Sequence, residues 1–132
     1  MNVKWNGKII CGFAGIGKSS LARNTPNVVD LESTPFERDW DRYAKVARHM
    51  SNNGYTVLLS CHKEIREKLW DGYYVAKPSS LDKKEYIQRY KNRGNDDSFI
   101  DLMSNNWDKF LELMPWESSY ILVKNTLQET LC

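Results

Sequence analysis

The chain has 132 residues and a formal net charge of +2, with 41% hydrophobic and 27% charged residues. That length fits one domain, 1–132, and a near-balanced charge without a dense Lys/Arg block argues against nucleic acid as a partner. No apolar run approaches the length of a membrane span, and Met1-Asn2-Val3-Lys4-Trp5 lacks the pattern of a secretory signal. Cys11, Cys61 and Cys132 lie far apart without metal-binding spacing, so the expectation is a cytoplasmic protein with reduced thiols.

In chain order, Lys8-Ile9-Ile10-Cys11 is an apolar run suited to a buried parallel strand. It leads into Gly12-Phe13-Ala14-Gly15-Ile16-Gly17-Lys18-Ser19-Ser20, which fits G-x-x-x-x-G-K-S, the phosphate-binding P-loop. Gly12, Gly15 and Gly17 are expected to take backbone angles that side chains forbid, turning N–H groups into one anion-binding concavity. The following helix adds its positive end and runs to Pro26. Lys18 would reach the β- and γ-phosphates of ATP, and the Ser19 hydroxyl would sit on Mg²⁺.

Asn27 to Leu31 reads as a second strand, with Asp30 near its end and Glu32 beyond. Thr34-Pro35-Phe36-Glu37 fits a capping box, and Phe36, Trp40, Tyr43, Ala47 and Met50 recur at helical spacing until Gly54. A substrate loop over 33–39 would move that helix start later. Tyr55 to Ser60 is a third strand, followed by a helix from Cys61 to Trp70. Tyr73 to Lys77 is a fourth strand, ended by Pro78. Ser80 or Asp82 caps a helix through Tyr86, Ile87 and Tyr90 to Gly94. Ser98 opens a helical region with Phe99, Leu102, Met103, Phe110, Leu111 and Met114 as its buried stripe, breaking near Asn105-Asn106. Tyr120 to Val123 is a fifth strand, and Asn125 or Thr126 caps a last half-helix, Leu127 to Leu131. Five strands alternating with helices predict a three-layer α/β fold around a parallel sheet. Ligands then bind beyond the carboxyl ends of the strands.

Several residues at those ends carry chemistry. Asp30 beside a P-loop would orient the water shell of Mg²⁺, or else cap a helix. Arg89 and Arg93 are four apart on one helix, placed either to close over phosphates or to form a solvated basic face with Lys83, Lys84 and Lys91. His62 and Arg66 share a helix face after the third strand. Arg66 would take an acceptor phosphate or pair with Glu64 or Glu67 at the surface. Arg38 and Arg42 are second candidates for that phosphate. Trp40, Tyr43 and Trp70 would stack on a base or belong to the core. His49 reads as a surface residue.

The P-loop, Asp30-Leu31-Glu32 after the second strand, and Arg89-Tyr90-Lys91-Asn92-Arg93 together resemble the nucleoside monophosphate kinase-like group, which includes adenylate, guanylate and shikimate kinases. The chain resembles most of all the small nucleotide-kinase-like P-loop proteins of bacteriophage genomes. The resemblance spans most of the chain, and only the P-loop is specific by itself. It implies a P-loop NTPase fold with strand order 2-3-1-4-5 and transfer of the γ-phosphoryl group of ATP to a small acceptor, in the host cytoplasm if the chain is phage-encoded. It further implies that Asp30 holds Mg²⁺ through water and that Glu32 contacts the acceptor, as in the D-x-D pair of shikimate-type kinases. Arg89 and Arg93 match an R-x-x-x-R lid. Lys124 and Asn125 fall where guanylate-type kinases border the adenine of ATP. In one departure, relatives of adenylate kinase often carry Asp at the end of the third strand, where this chain has Leu58-Leu59-Ser60.

The expected function is a kinase, monomeric or homodimeric, that takes ATP and Mg²⁺ and phosphorylates a nucleoside or deoxynucleoside monophosphate. Lys18, Asp30, Arg89 and Arg93 would be catalytic, and Glu32, Arg42, His62 and Arg66 would bind the acceptor. The rivals are a hydroxyl-acceptor kinase, for a metabolite or a polynucleotide 5′-end, with Asp30 as base, and a nucleotide-binding regulator without turnover. A motor or switch ATPase fits less well, because no apolar run ends in Asp.

Overall fold

The computed structural model describes residues 7–60, 62–69, 72–112 and 120–123, together with Leu127 and Leu131. Five short apolar runs form the strands β1 (Ile9–Gly12), β2 (Val28–Leu31), β3 (Thr56–Ser60), β4 (Tyr74–Pro78) and β5 (Tyr120–Val123). All neighbouring pairs are parallel, in the order β2-β3-β1-β4-β5. β1 is buried along its whole length, as befits the middle of a sheet covered on both faces.

The helices are α1 (Lys18–Asn24), α2 (Trp40–Asn52), α3 (Lys63–Leu69), α4 (Lys83–Asn92), α5 (Asp97–Asn105) and α6 (Trp107–Glu112). Residues paired across parallel strands share a face, so strand alternation sorts the core into two layers. Ile10 and Leu58 face a cluster with Leu21 of α1, Tyr86 and Tyr90 of α4, Met103 of α5 and Trp107 of α6. Ile9, Cys11, Val57 and Leu59 face the other way, onto Tyr43, Ala44 and Ala47 of α2 and Ile65 and Leu69 of α3. Among the described residues no helix is long and apolar enough to cross a membrane.

Several local expectations change. Thr34–Phe36 is a single 3₁₀ turn rather than the start of a helix. α2 begins at Trp40, where Asp39 caps it by accepting from the Arg42 N–H at 3.1 Å. The chain between them takes left-handed angles at Glu37 (φ 50°) and Arg38 (φ 67°), which no residue type announces there. Asp96, not Ser98, caps α5, accepting from the Phe99 N–H at 2.9 Å and from the Ser98 hydroxyl at 2.8 Å. These bonds favour the ionised carboxylate and hold the Asp96 pKa below its usual range. Pro78 lies within β4 rather than after it. The break near Asn105-Asn106 is where expected, since α5 ends at Asn105 and α6 starts at Trp107. Cys61, Trp70, Met114, Lys124 and Asn125 lie outside the described residues, as does most of the expected last half-helix.

Candidate functional site

The glycine loop leaves the carboxyl end of β1, the middle strand, and returns as α1. Gly15 (φ 85°) and Gly17 (φ 103°) take the left-handed angles that only glycine adopts freely. Gly12 differs from the expectation, being a strand residue without a positive φ. Its role is space: a Cβ there would stand 3.0 Å from both Lys18 Cδ and Ile16 Cγ2. The Lys18 side chain folds back across that gap, and its Nζ donates to the Gly12 carbonyl at 3.3 Å. The first helical bond of α1 runs from the Leu21 N–H to the Gly17 carbonyl. The preceding N–H groups of the first turn therefore have no partner within the helix.

Sheet register explains how Asp30 comes to this loop. Asp30 pairs with Leu58, and Leu58 with Ile10, so Asp30 lies on the α1 face of the sheet. There the Ser19 hydroxyl, one residue into α1, donates to Asp30 Oδ2 at 2.8 Å. The two side chains that the sequence offers to Mg²⁺ thus meet directly, from positions eleven residues apart. Two hard oxygen donors beside a glycine loop could serve Mg²⁺, which usually keeps several waters and takes few protein ligands. Among the described residues no group of three or more His, Cys, Asp or Glu side chains gathers as a self-sufficient metal site.

The loop is held from the opposite side by α4. The Tyr90 hydroxyl donates to the Ala14 carbonyl at 2.8 Å, and Arg89 Nη1 donates to the Gly15 carbonyl at 3.0 Å. A Cβ on Gly15 would come within 2.8 Å of Tyr90 Cε1, so helix and loop touch directly. Phe13 is buried edge-on against Trp107, with ring centroids 5.3 Å apart, and against Tyr86 at 6.2 Å. Leu127 adds a backbone bond, its N–H donating to the Ile16 carbonyl at 3.0 Å. These contacts fix the loop in place, and the sequence places Tyr86 and Tyr90 on a helix without marking them as partners of the loop.

Arg89 and Arg93 do share a face, but each lies over an aromatic ring. The Arg89 guanidinium carbon is 4.3 Å from the Tyr86 centroid, and that of Arg93 is 5.4 Å from the Tyr90 centroid. Glu85 accepts from Arg89 Nη2 at 2.7 Å. Burial works against the Arg89 cation, but Glu85 and Tyr86 together outweigh it and hold its pKa above the usual value. Burial pushes the Tyr86 phenol up to about 12, with Arg89 opposing that rise. Arg93 Nε donates to Asn95 Oδ1 at 3.0 Å, just past Gly94, whose left-handed φ of 81° ends α4.

The expected acceptor residues divide. His62 follows β3 and lines a cavity of about 570 Å³ with Ser33, Thr34, Glu37, Arg38 and Trp40. The rings of His62 and Trp40 lie 5.2 Å apart, forming one wall. Arg66, one turn further along α3, is half-buried, and Arg42 is exposed with its guanidinium 5.5 Å from the Phe36 ring. Neither lines this cavity, whereas Arg38, the second candidate beside Arg42, does. Glu32 is exposed beyond β2. Of the aromatic candidates, Tyr43 is core, its hydroxyl donating to the Leu31 carbonyl, while Trp40 is half-buried at the cavity. Ser33, Thr34 and Glu37 fall within the 33–39 stretch that the sequence offers as a substrate loop, although none of the three is named there as a binding residue. Compared with known proteins, the chain matches no protein-family model and no curated sequence.

Proposed function

We propose that the chain is a P-loop NTPase-fold kinase that transfers the γ-phosphoryl group of ATP to a nucleoside or deoxynucleoside monophosphate. The observation that carries this reading is the Ser19–Asp30 pair at 2.8 Å beside a loop in which Lys18 lies over Gly12. The motif alone requires the loop, but nothing in the motif requires a carboxylate from another strand to meet its serine.

In this mechanism the loop N–H groups and Lys18 bind the donor phosphates. Ser19, and Asp30 through water, would hold Mg²⁺, which when bound neutralises charge on the phosphate oxygens. Arg89 and Arg93 stand at the α4 side of the loop as cations for charge that develops in transfer. The acceptor enters from the other side, past the ends of β2 and β3, where the cavity lies. A phosphate acceptor is already anionic, so positioning and charge neutralisation suffice and no general base is required.

Asp30 bonded to Ser19 supports a metal role over that of a base, which weighs against a hydroxyl acceptor. The regulator reading keeps one observation in its favour: β3 ends at Ser60 rather than at a carboxylate. The test is ATP consumption against matched nucleosides and their monophosphates, with Lys18→Ala as control. Turnover with monophosphates alone is expected. Turnover with nucleosides alone transfers the assignment to the hydroxyl-acceptor kinase. Tight ATP binding without any turnover favours the regulator.

A further inference from the structure

The cavity at the ends of β2 and β3, where the proposed function brings in the acceptor, has a lining that bears on which acceptor fits it. Its volume of about 570 Å³ lies within the usual range for small-molecule sites, roughly 300–1,000 Å³. One wall is aromatic, Trp40 with His62. Two carboxylates also line it, Glu37 from the turn before α2 and Glu64 from the first turn of α3. Arg38 is the one arginine or lysine among the described lining residues. Glu37 and Arg38 belong to different chemical classes, yet both take left-handed angles at consecutive positions. Such strain in non-glycine residues concentrates where side chains must be aimed at a ligand.

Each wall demands something of the occupant. An indole face favours a flat ring, and base–aromatic stacking tolerates any base. An ionised carboxylate is acceptor-only, so it needs N–H or O–H donors opposite. Guanine offers two donors side by side, at N1 and N2. Uracil and thymine offer a single N–H flanked by two carbonyl oxygens, which a carboxylate repels. Adenine and cytosine offer an amino group next to an acceptor nitrogen.

We propose that this cavity takes the base of the acceptor nucleotide, and that Glu37 and Glu64 select guanine over uracil and thymine, with Arg38 available to the anionic end. The proposal rests on the kinase reading for the word acceptor, but base selection is measurable without turnover. One good bidentate pair discriminates bases by about tenfold to a hundredfold.

The experiment is calorimetric titration of the full chain with GMP and with UMP, in Mg²⁺ and a non-hydrolysable ATP analogue. GMP is expected to bind at least about tenfold more tightly than UMP, the low end of bidentate discrimination. Glu37→Gln and Glu64→Gln should shrink that ratio, because a glutamine amide both donates and accepts. Trp40→Phe should weaken both ligands while keeping the ratio. Equal affinity for GMP and UMP in the wild-type chain overturns the proposal, as does a ratio that neither glutamine variant moves, or no binding of either ligand. The wild-type comparison stands even if a variant fails to fold. Selective GMP binding without phosphoryl transfer would sink the kinase reading and leave the base site intact. Transfer to UMP as efficient as to GMP would do the reverse.

Discussion

Gly12 and Gly15 are the same residue type in one loop, held to glycine by different forces. At Gly15 an alanine meets both a left-handed backbone and the Tyr90 ring at 2.8 Å. Gly15→Ala is therefore expected to destabilise the fold by about 1–3 kcal/mol, the cost of a strained backbone site. At Gly12 the angle is permitted, and the new methyl group presses on Lys18 and Ile16 at 3.0 Å. Gly12→Ala should lower the melting temperature less than Gly15→Ala while still weakening ATP binding through the displaced lysine. Thermal melts with and without ATP separate the two, and an equal loss of stability would refute the distinction. The Ser19–Asp30 pair makes a second residue-scale prediction. Asp30→Asn removes a charge that the proposed Mg²⁺ site would use, so the gain in ATP affinity on adding Mg²⁺ should shrink, while metal-free affinity stays near wild type. Titration in Mg²⁺ and in EDTA reads this directly, and an unchanged Mg²⁺ effect would remove Asp30 from the metal site.

At the scale of elements, α4 does more than carry two arginines. Tyr90 and Arg89 bond to successive carbonyls of the glycine loop, at Ala14 and Gly15, so helix position and loop shape are coupled. Under the proposed function, a helix so anchored would close on a ligand by moving side chains rather than by swinging as a unit, and Arg89 would exchange its bond to the Gly15 carbonyl, its Glu85 partner, or both, for a phosphate. The expected result is that Arg89→Ala lowers kcat by on the order of 10³, in the range of charge-stabilising arginines in phosphoryl transfer, with a smaller effect on ATP affinity. Tyr90→Phe removes only the hydroxyl bond to Ala14, and should weaken ATP binding by loosening the loop while sparing kcat. Steady-state kinetics on the two variants tests the division. Wild-type kcat in both Arg89→Ala and Arg93→Ala would reduce the pair to a surface feature. The sequence pointed to the shared face of Arg89 and Arg93 through their spacing, but not to the coupling. Contact between residues 76 positions apart, such as Tyr90 and Ala14, leaves no local pattern to read.

For the whole molecule, parallel pairing and the two-layer core follow from features that periodicity reports, namely short apolar runs, alternating helices and a glycine loop after the first strand, whereas the strand order is what the family resemblance implies. The acceptor side was less legible. Spacing placed Arg66 and His62 on one helix face, but the cavity is shaped by the turn at Glu37 and Arg38, whose angles depend on tertiary packing rather than on residue type. The two core layers share one more property, three buried tyrosines: Tyr43 against α3 and β3, and Tyr86 and Tyr90 beneath the glycine loop. Burial raises all three phenols, Tyr86 to about 12 and the other two further. In the unfolded chain they titrate near 10. Between these values the unfolded state binds fewer protons than the native state, so stability is fully present below pH 10 and falls as pH rises through the native values. Each tyrosine that titrates in this way contributes a slope of about 1.4 kcal/mol per pH unit. Unfolding between pH 10 and 12 is therefore expected to be steep and to involve both layers at once. Tyrosinate absorbance and far-UV circular dichroism, followed together, check this. The absorbance change owed to Tyr43, Tyr86 and Tyr90 should rise only with loss of helix signal. A single smooth titration of all seven tyrosines near pH 10 in a folded protein would contradict the burial of these three.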